Sequence, residues 1–275
     1  MTIDAVPRDM LSTYLEDALL TGKISPGSRL PSERLLAQRF GLSRPSVREV
    51  IKELQERGLV RVIPGRGTFV REPSSVDSIR PLEAYYRRRN ATPREVTDAR
   101  IMLETHAAVL AARNATEDDL TALRKMLSAF EKAGNVVEKA RADIAFHILI
   151  ARAARNSVLE VMFLSIAGLT FEYMLRSLAD PTIVREGAPY HDDILAAIAD
   201  RDTERARRAM EGHLSVAHYH YGEDLDQGLD TLARRELTRL MGPGVSLDGI
   251  IESVLTALDG PDDDLLRLEP NSRQR

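Results

Sequence analysis

Two arginines, one carboxylate and three imidazoles are spaced so that they could do chemistry together. Arg44 and Arg48 lie four residues apart in Ser43-Arg44-Pro45-Ser46-Val47-Arg48, and on a helix that spacing puts both on one face. The planar fork of arginine matches guanine O6 and N7, and a good bidentate pair contributes roughly 1–3 kcal/mol of base discrimination. Asp143 and His147 have the same spacing in an otherwise apolar run that includes Ile144, Phe146, Ile148 and Leu149. His191 and His213 follow 22 residues apart. A helical bundle could gather the carboxylate and the three imidazoles into a site for Zn²⁺, Ni²⁺, Mn²⁺ or Fe²⁺. Spacing alone also allows solvated surface arginines and satisfied core histidines. His106, His218 and His220 form no usable pattern.

The elements that must position Arg44 and Arg48 are legible around them. Met10, Leu11, Tyr14, Leu15, Ala18 and Leu19 recur at helical spacing before Gly22 and Pro26-Gly27. Ser32 is placed to cap a second helix carrying Leu35, Leu36 and Phe40, which Gly41 ends. Ser43 caps a third, with Pro45 in the first turn, where a missing N–H costs little. That helix runs through Val47, Val50, Ile51 and Leu54 to Gly58. The period then changes to two in 59–63 and 68–70, either side of Pro64-Gly65-Arg66-Gly67, which predicts a β-hairpin with a glycine-rich tip. Three helices and a hairpin in this order are a winged helix-turn-helix. The first turn of the third helix would enter the major groove, Arg34 would approach the backbone, and the hairpin tip would offer N–H groups to phosphate.

Charge is distributed accordingly. The 275 residues carry a net charge of −4, yet residues 1–72 hold 12 Lys and Arg against 9 Asp and Glu. A basic head on an acidic body confines phosphate contact to the head. The chain has no cysteine, so any metal must be held by nitrogen and oxygen ligands. No secretory signal and no membrane-length apolar run is read, which predicts a cytoplasmic protein without membrane partners.

Beyond residue 72 two prolines and several serines suggest a linker through 81, and after it only helical periodicity remains. Helices are expected over 93–113, 116–133, 136–155, 158–179, 185–200 and 202–221, with short connections that imply an antiparallel bundle. Thr116 and Asp119 approximate a capping box. The fold class is thus mainly α. It divides into a winged helix-turn-helix at 1–72, a linker and first part of the effector domain at 73–92, an all-helical domain at 93–241, and an extension at 242–275. The extension contains an amphipathic stretch over 247–258 and a polar end expected to be disordered.

The runs from Leu30 to Ala37, Gly41 to Glu49, Leu54 to Val60 and Gly65 to Val70 resemble the DNA-binding domain of the GntR family of bacterial regulators. The resemblance covers about residues 8–71. It implies Arg34, Arg44 and Arg48 as DNA contacts, with Ser43, Ser46 and Gly65 close to phosphates or base edges. Pro45 and Pro64 stand where no polar side chain is supplied. Asp98-Ala-Arg100 with Glu104, Asp143 to His147, Asn156, His191 and His213 resemble the FadR-type effector domain of the same family, the FCD domain, over about 80–222. That resemblance implies Asp143, His147, His191 and His213 as metal ligands and makes an acyl-CoA effector less fitting than a small carboxylic or hydroxy acid. Arg100 is then a candidate carboxylate clamp, or else the partner of Glu104 or Asp98 in a salt bridge. Asn156 either contacts the effector or caps a helix.

The function expected is a homodimeric, ligand-controlled repressor on a pseudo-palindromic double-stranded operator, and not an enzyme. A metal-dependent hydrolase with a DNA-binding appendage is the alternative, although a fourth protein ligand leaves less room for an activated water. A DNA-binding protein indifferent to small molecules is a third reading.

Overall fold

Glycines and capping residues divide the first seventy residues into short elements with one shared core. In the computed structural model, which describes residues 7–72, 75–241 and 250–259, the chain forms two units, Met1–Asp77 and Ser78–Arg275. In the first, helix α1 spans Pro7–Leu20, α2 Glu33–Phe40 and α3 Arg44–Glu56. Ser32 caps α2 by accepting from Leu35 N–H, and Gly41 ends it in the left-handed conformation at φ 64°, where glycine carries no Cβ penalty. Ser43 Oγ accepts from Ser46 N–H at 3.2 Å. Val47, Val50, Ile51 and Leu54 form one buried stripe of α3 against Leu11, Leu15 and Leu36, which leaves Arg44 and Arg48 on the outer face.

Strands β1 (Val60–Ile63) and β2 (Gly67–Val70) pair antiparallel in the register Val60 to Val70 and Ile63 to Gly67. The hairpin gains an edge that the sequence did not advertise. Leu30 N–H donates to Thr68 O and Val70 N–H to Ser28 O, so the segment before α2 bridges Arg29 to Phe69. The wing is thereby tied to the start of α2.

The second unit corrects three expectations. The stretch read as a linker is helical from Ser75, where α4 runs Ser75–Arg88 with Pro81 inside it. Tertiary burial explains why: Ile79 is buried, and Tyr86 packs on the core around Tyr173 and Tyr221. The helix expected over 158–179 is two helices, α8 (Ser157–Leu164) and α9 (Ala167–Leu178), bent by 57°. Ser165 Oγ turns back onto Met162 O, and Ile166 leaves the helical region at φ −110°, ψ 1°. Helix α10 (Pro181–Ala199) begins four residues earlier than expected, with Asp180 as its cap and Pro181 in the first turn.

The remaining helices are α5 (Pro93–Asn114), α6 (Glu117–Lys132), α7 (Val136–Ala153), α11 (Thr203–Tyr221), α12 (Leu229–Met241) and α13 (Ile250–Asp259). The capping box expected at Thr116 and Asp119 is formed, and Thr92 with Glu95 forms another at the start of α5. Helix α7 is buried on nearly all sides and packs on α5, α6 and α9, while α10 and α11 pack on α5 and on each other. A helix buried all round normally carries no charge; α7 carries Asp143 and His147 into this core. The polar end of the 242–275 extension, with its expected disorder, lies outside the described residues.

Candidate metal centre and nucleic-acid interface

The burial of α7 makes Asp143 and His147 costly unless something satisfies them. Their i,i+4 spacing turns both toward α10 and α11, which contribute His191 and His213. One ligand atom from each of Asp143, His147, His191 and His213 lies within 4.8 Å of the others. His191 Nε2 is 3.0 Å and His147 Nε2 3.6 Å from Asp143 Oδ1. Asp143 Oδ1, His147 Nε2 and His191 Nε2 are all buried without a hydrogen bond. Three converging, unsatisfied lone-pair atoms on one carboxylate and two imidazoles suit a divalent cation better than a hydrogen-bonded core. His213, half-buried, sets its ring 4.4 Å from that of His191 and 5.1 Å from that of His147.

Beneath the cluster, α5 contributes a buried ion pair. Arg100 Nε donates to Glu104 Oε1 at 2.5 Å, and the other carboxylate oxygen, Glu104 Oε2, contacts His147 Nδ1. Both residues are 3% exposed. Arg100 Nη2 is left buried with no partner, and its guanidinium carbon lies 5.5 Å from the centre of the Tyr173 ring.

These groups perturb one another strongly. Burial opposes the charge on Asp143, yet His191 and His147 hold its carboxyl well below the usual range. Burial also opposes a proton on His147, but Glu104 and Asp143 prevail and raise it to about 9. Burial, with His191 and His147 beside it, pushes His213 well below its ordinary value. Glu104, despite its burial, is lowered by Arg100 and His147. Perturbation of this kind beside a cavity makes the cluster a candidate functional site.

The cavity is small, about 40 Å³. Arg100, Asp143, His191 and His213 share its lining with an apolar wall that includes Met174, Leu178, Ile183, Val184 and Leu214. Arg100 thus forms the ion pair with Glu104 that was one of the two sequence readings, and it also lines the cavity with Nη2 buried and without a hydrogen bond. Asn156 does not line it. Exposed at the start of α8, it accepts from Leu159 N–H at 3.1 Å, so the capping alternative holds and the effector-contact expectation is corrected. A free N–H at a helix start captures a nearby Asn side chain readily.

In the first unit Arg34, Ser43, Arg44 and Gly65 are exposed and Ser46 is half-buried. Arg44 and Arg34 border a groove of about 480 Å³ with Pro64, Gly65 and Thr68 of the wing. Glu33 was not singled out in the sequence, yet Arg48 Nε lies 2.8 Å and Arg44 Nη2 3.8 Å from its Oε2. Its position at the start of α2 was legible; its meeting with α3 required the turn geometry. Glu104 was visible as an i,i+4 partner of Arg100, but its reach to His147 on α7 was not.

Residues 7–70 match the family described as bacterial regulatory proteins, gntR family, and residues 95–216 match the FCD domain. The chain is 31% identical over 202 residues to the HTH-type transcriptional regulator LutR of Bacillus subtilis (strain 168), covering 70% of this chain and 91% of that protein. It is 30% identical over 216 residues to the Glc operon transcriptional activator of Escherichia coli (strain K12), covering 75% and 85%. Among solved structures, Streptococcus agalactiae GntR superposes with a TM-score of 0.57 at 24% identity, covering 77% of this chain and 99% of that one. At that identity the likeness speaks for the fold alone.

Proposed function

The chain belongs to the GntR family of bacterial regulatory proteins, and on that premise we propose that this FCD-domain transcriptional regulator is a repressor released from DNA by a small carboxylic or hydroxy acid. The observation that carries the reading is the convergence of four metal-ligand atoms within 4.8 Å beside the unpaired, buried Arg100 Nη2. Asp143, His147, His191 and His213 would hold a divalent cation, whose open positions would supply a Lewis-acid seat for the effector's carboxylate. Arg100 would clamp the same group through a charge-assisted hydrogen bond.

In the head, Arg44 and Arg48 would read base edges from the first turns of α3, while Arg34, Ser43, Ser46 and Gly65 would meet the backbone. The chain would act as a homodimer on a pseudo-palindromic operator. The apolar side chains exposed on α8, Val158, Val161 and Met162, are suited to cover a second copy. The hydrolase alternative is not carried forward, since the relatives are named as regulators.

The test is fluorescence anisotropy with an operator selected from random duplexes, using metal-loaded protein and a panel of small carboxylates. Weakened operator binding with at least one acid is expected. No response to any acid, alongside normal DNA binding, overturns effector control. Tightened binding keeps the effector site and reverses the sign of regulation.

A further inference from the structure

We propose that Glu104 sets the charge of the effector cavity, so that the site accepts a monoanionic carboxylate with an apolar tail and rejects a dianion. The inference rests on the preceding reading that the cluster holds a divalent ion with the effector's carboxylate beside Arg100.

Charges in a buried site must nearly cancel, because an uncompensated one loses its hydration with nothing in return. Among the described residues, Arg100 and Asp143 are the only Arg, Lys, Asp or Glu that line the cavity. Glu104 stands directly behind them, buried, with one oxygen on Arg100 Nε and the other against His147 Nδ1. Imidazoles bind metal in their neutral form, so they add no charge. A divalent ion and the guanidinium then set three positive charges against the two carboxylates, and one positive charge remains. A single effector carboxylate cancels it.

Within this cavity a second carboxylate would find no further Arg or Lys among the described residues. The rest of the lining is mostly apolar, with Met174, Leu178, Ile183, Val184 and Leu214, and adds the uncharged hydroxyls of Tyr173 and Ser177. The wider cavity that shares Phe130, Val184, Ala188 and His191 with this one is itself balanced, with Lys139 and Arg185 against Glu131 and Asp192. Both oxygens of Glu104 lie against protein groups, Oε1 on Arg100 Nε and Oε2 against His147 Nδ1, and Glu104 does not line the cavity. It is a positioning residue: it acts through Arg100, holding Nε while Nη2 is left without a hydrogen bond, and through its own charge. Without that charge the loaded site would carry two positive charges in excess and would favour a dianion.

The test compares 2-hydroxybutanoate with malate, which share a four-carbon 2-hydroxy acid head and differ in a terminal methyl against a carboxylate. Calorimetric affinities for both acids are measured on zinc-loaded full-length protein, with zinc content checked by elemental analysis. Wild type is expected to bind 2-hydroxybutanoate at least about ten-fold more tightly, and Glu104→Gln to lose or invert that preference. Glu104→Asp, which keeps the charge, is expected to keep the preference. An apolar wall acting alone would leave the ratio unchanged in Glu104→Gln, and that result overturns the proposal. Should Glu104→Gln fail to fold, a wild type or Glu104→Asp protein that binds malate as well as 2-hydroxybutanoate overturns it equally. If zinc-loaded wild type binds neither these acids nor any in the carboxylate panel, the effector reading falls and this inference with it. Selective but charge-blind binding sinks the inference alone.

Discussion

Arg48 Nε lies 2.8 Å from Glu33 Oε2, so one of the two arginines on the outer face of α3 is tethered to the start of α2 in the absence of DNA. The pair is exposed, with Arg48 61% and Glu33 30% accessible, and such pairs contribute only about 0–1 kcal/mol. The tether can therefore be exchanged for a base or a phosphate at little cost. Arg44→Ala and Arg48→Ala are each expected to weaken cognate operator binding by about 1–3 kcal/mol while leaving binding to a scrambled duplex nearly unchanged. Circular dichroism should show an intact fold, because neither side chain is in the core. Equal losses on both duplexes would mean that these residues contact only the backbone. Glu33→Gln, by freeing both arginines, is expected to raise affinity for both duplexes modestly.

Operator affinity is expected to fall steeply with salt even though the whole chain is acidic. The net charge of −4 hides an excess of cations in residues 1–72, and only phosphate contacts release condensed counterions. The measurement is log affinity against log salt for the full-length protein. A flat line would move the DNA-contacting surface away from the wing and α3.

The head was legible from sequence because its signals are local. Ser32, Gly41, Ser43 and the Gly65-containing turn each dictate backbone within a few residues, and the caps formed where expected. The bundle was legible as helices, less so as boundaries. Nothing local announced that Ile166 would break a helix, or that packing around Tyr173 would make 75–88 helical despite Pro81. Asp143 and His147 were visible through i,i+4 spacing and His191 and His213 as histidines that a bundle could bring to them, while the resemblance implied all four as ligands. The contact of Glu104 with His147 joins α5 to α7 across 43 residues of sequence, and no periodicity encodes a meeting of that kind. Asn156 misled because an amide that can contact a ligand can equally cap a helix, and burial alone separates the two.

The proposed cage and clamp are separable by mutation. His147→Ala and His191→Ala are each expected to lower bound metal by more than about ten-fold and to destabilise the bundle, since an ion at this site ties α7, α10 and α11 together. His213→Ala should act in the same direction. Arg100→Ala is expected to retain metal but lose effector binding, with some loss of stability because Glu104 would remain buried without its cation. Elemental analysis and effector titration on the four variants make the distinction. Metal loss in Arg100→Ala equal to that in His147→Ala would show that no separate clamp exists.

The last expectation is a difference in pH dependence between metal-free and metal-loaded protein. In the metal-free cluster His147 is raised to about 9, above its ordinary 6.5. A group raised on folding contributes stability that is fully present below its unfolded pKa and is lost as pH rises through its folded pKa. Metal-free protein is therefore expected to lose stability from about pH 6.5 until beyond 9, where Asp143 and Glu104 face each other with no imidazolium between them. Asp143 and Glu104 are lowered, so their contribution is present at neutral pH and disappears as pH falls through the acid range. Metal reverses the sign for His147, because a bound ion requires the neutral ring and competes with its proton. Loaded protein should therefore gain stability as pH rises from about 6.5 to 8, an interval in which metal-free protein weakens; below it the lowered His213 offsets His147 in the metal-free form. Differential scanning calorimetry of both forms, in buffers without chelating capacity, reads the two slopes, with each kcal/mol worth roughly 2–4 °C in a domain of this size. Parallel slopes for the two forms would remove His147 from the ligand set.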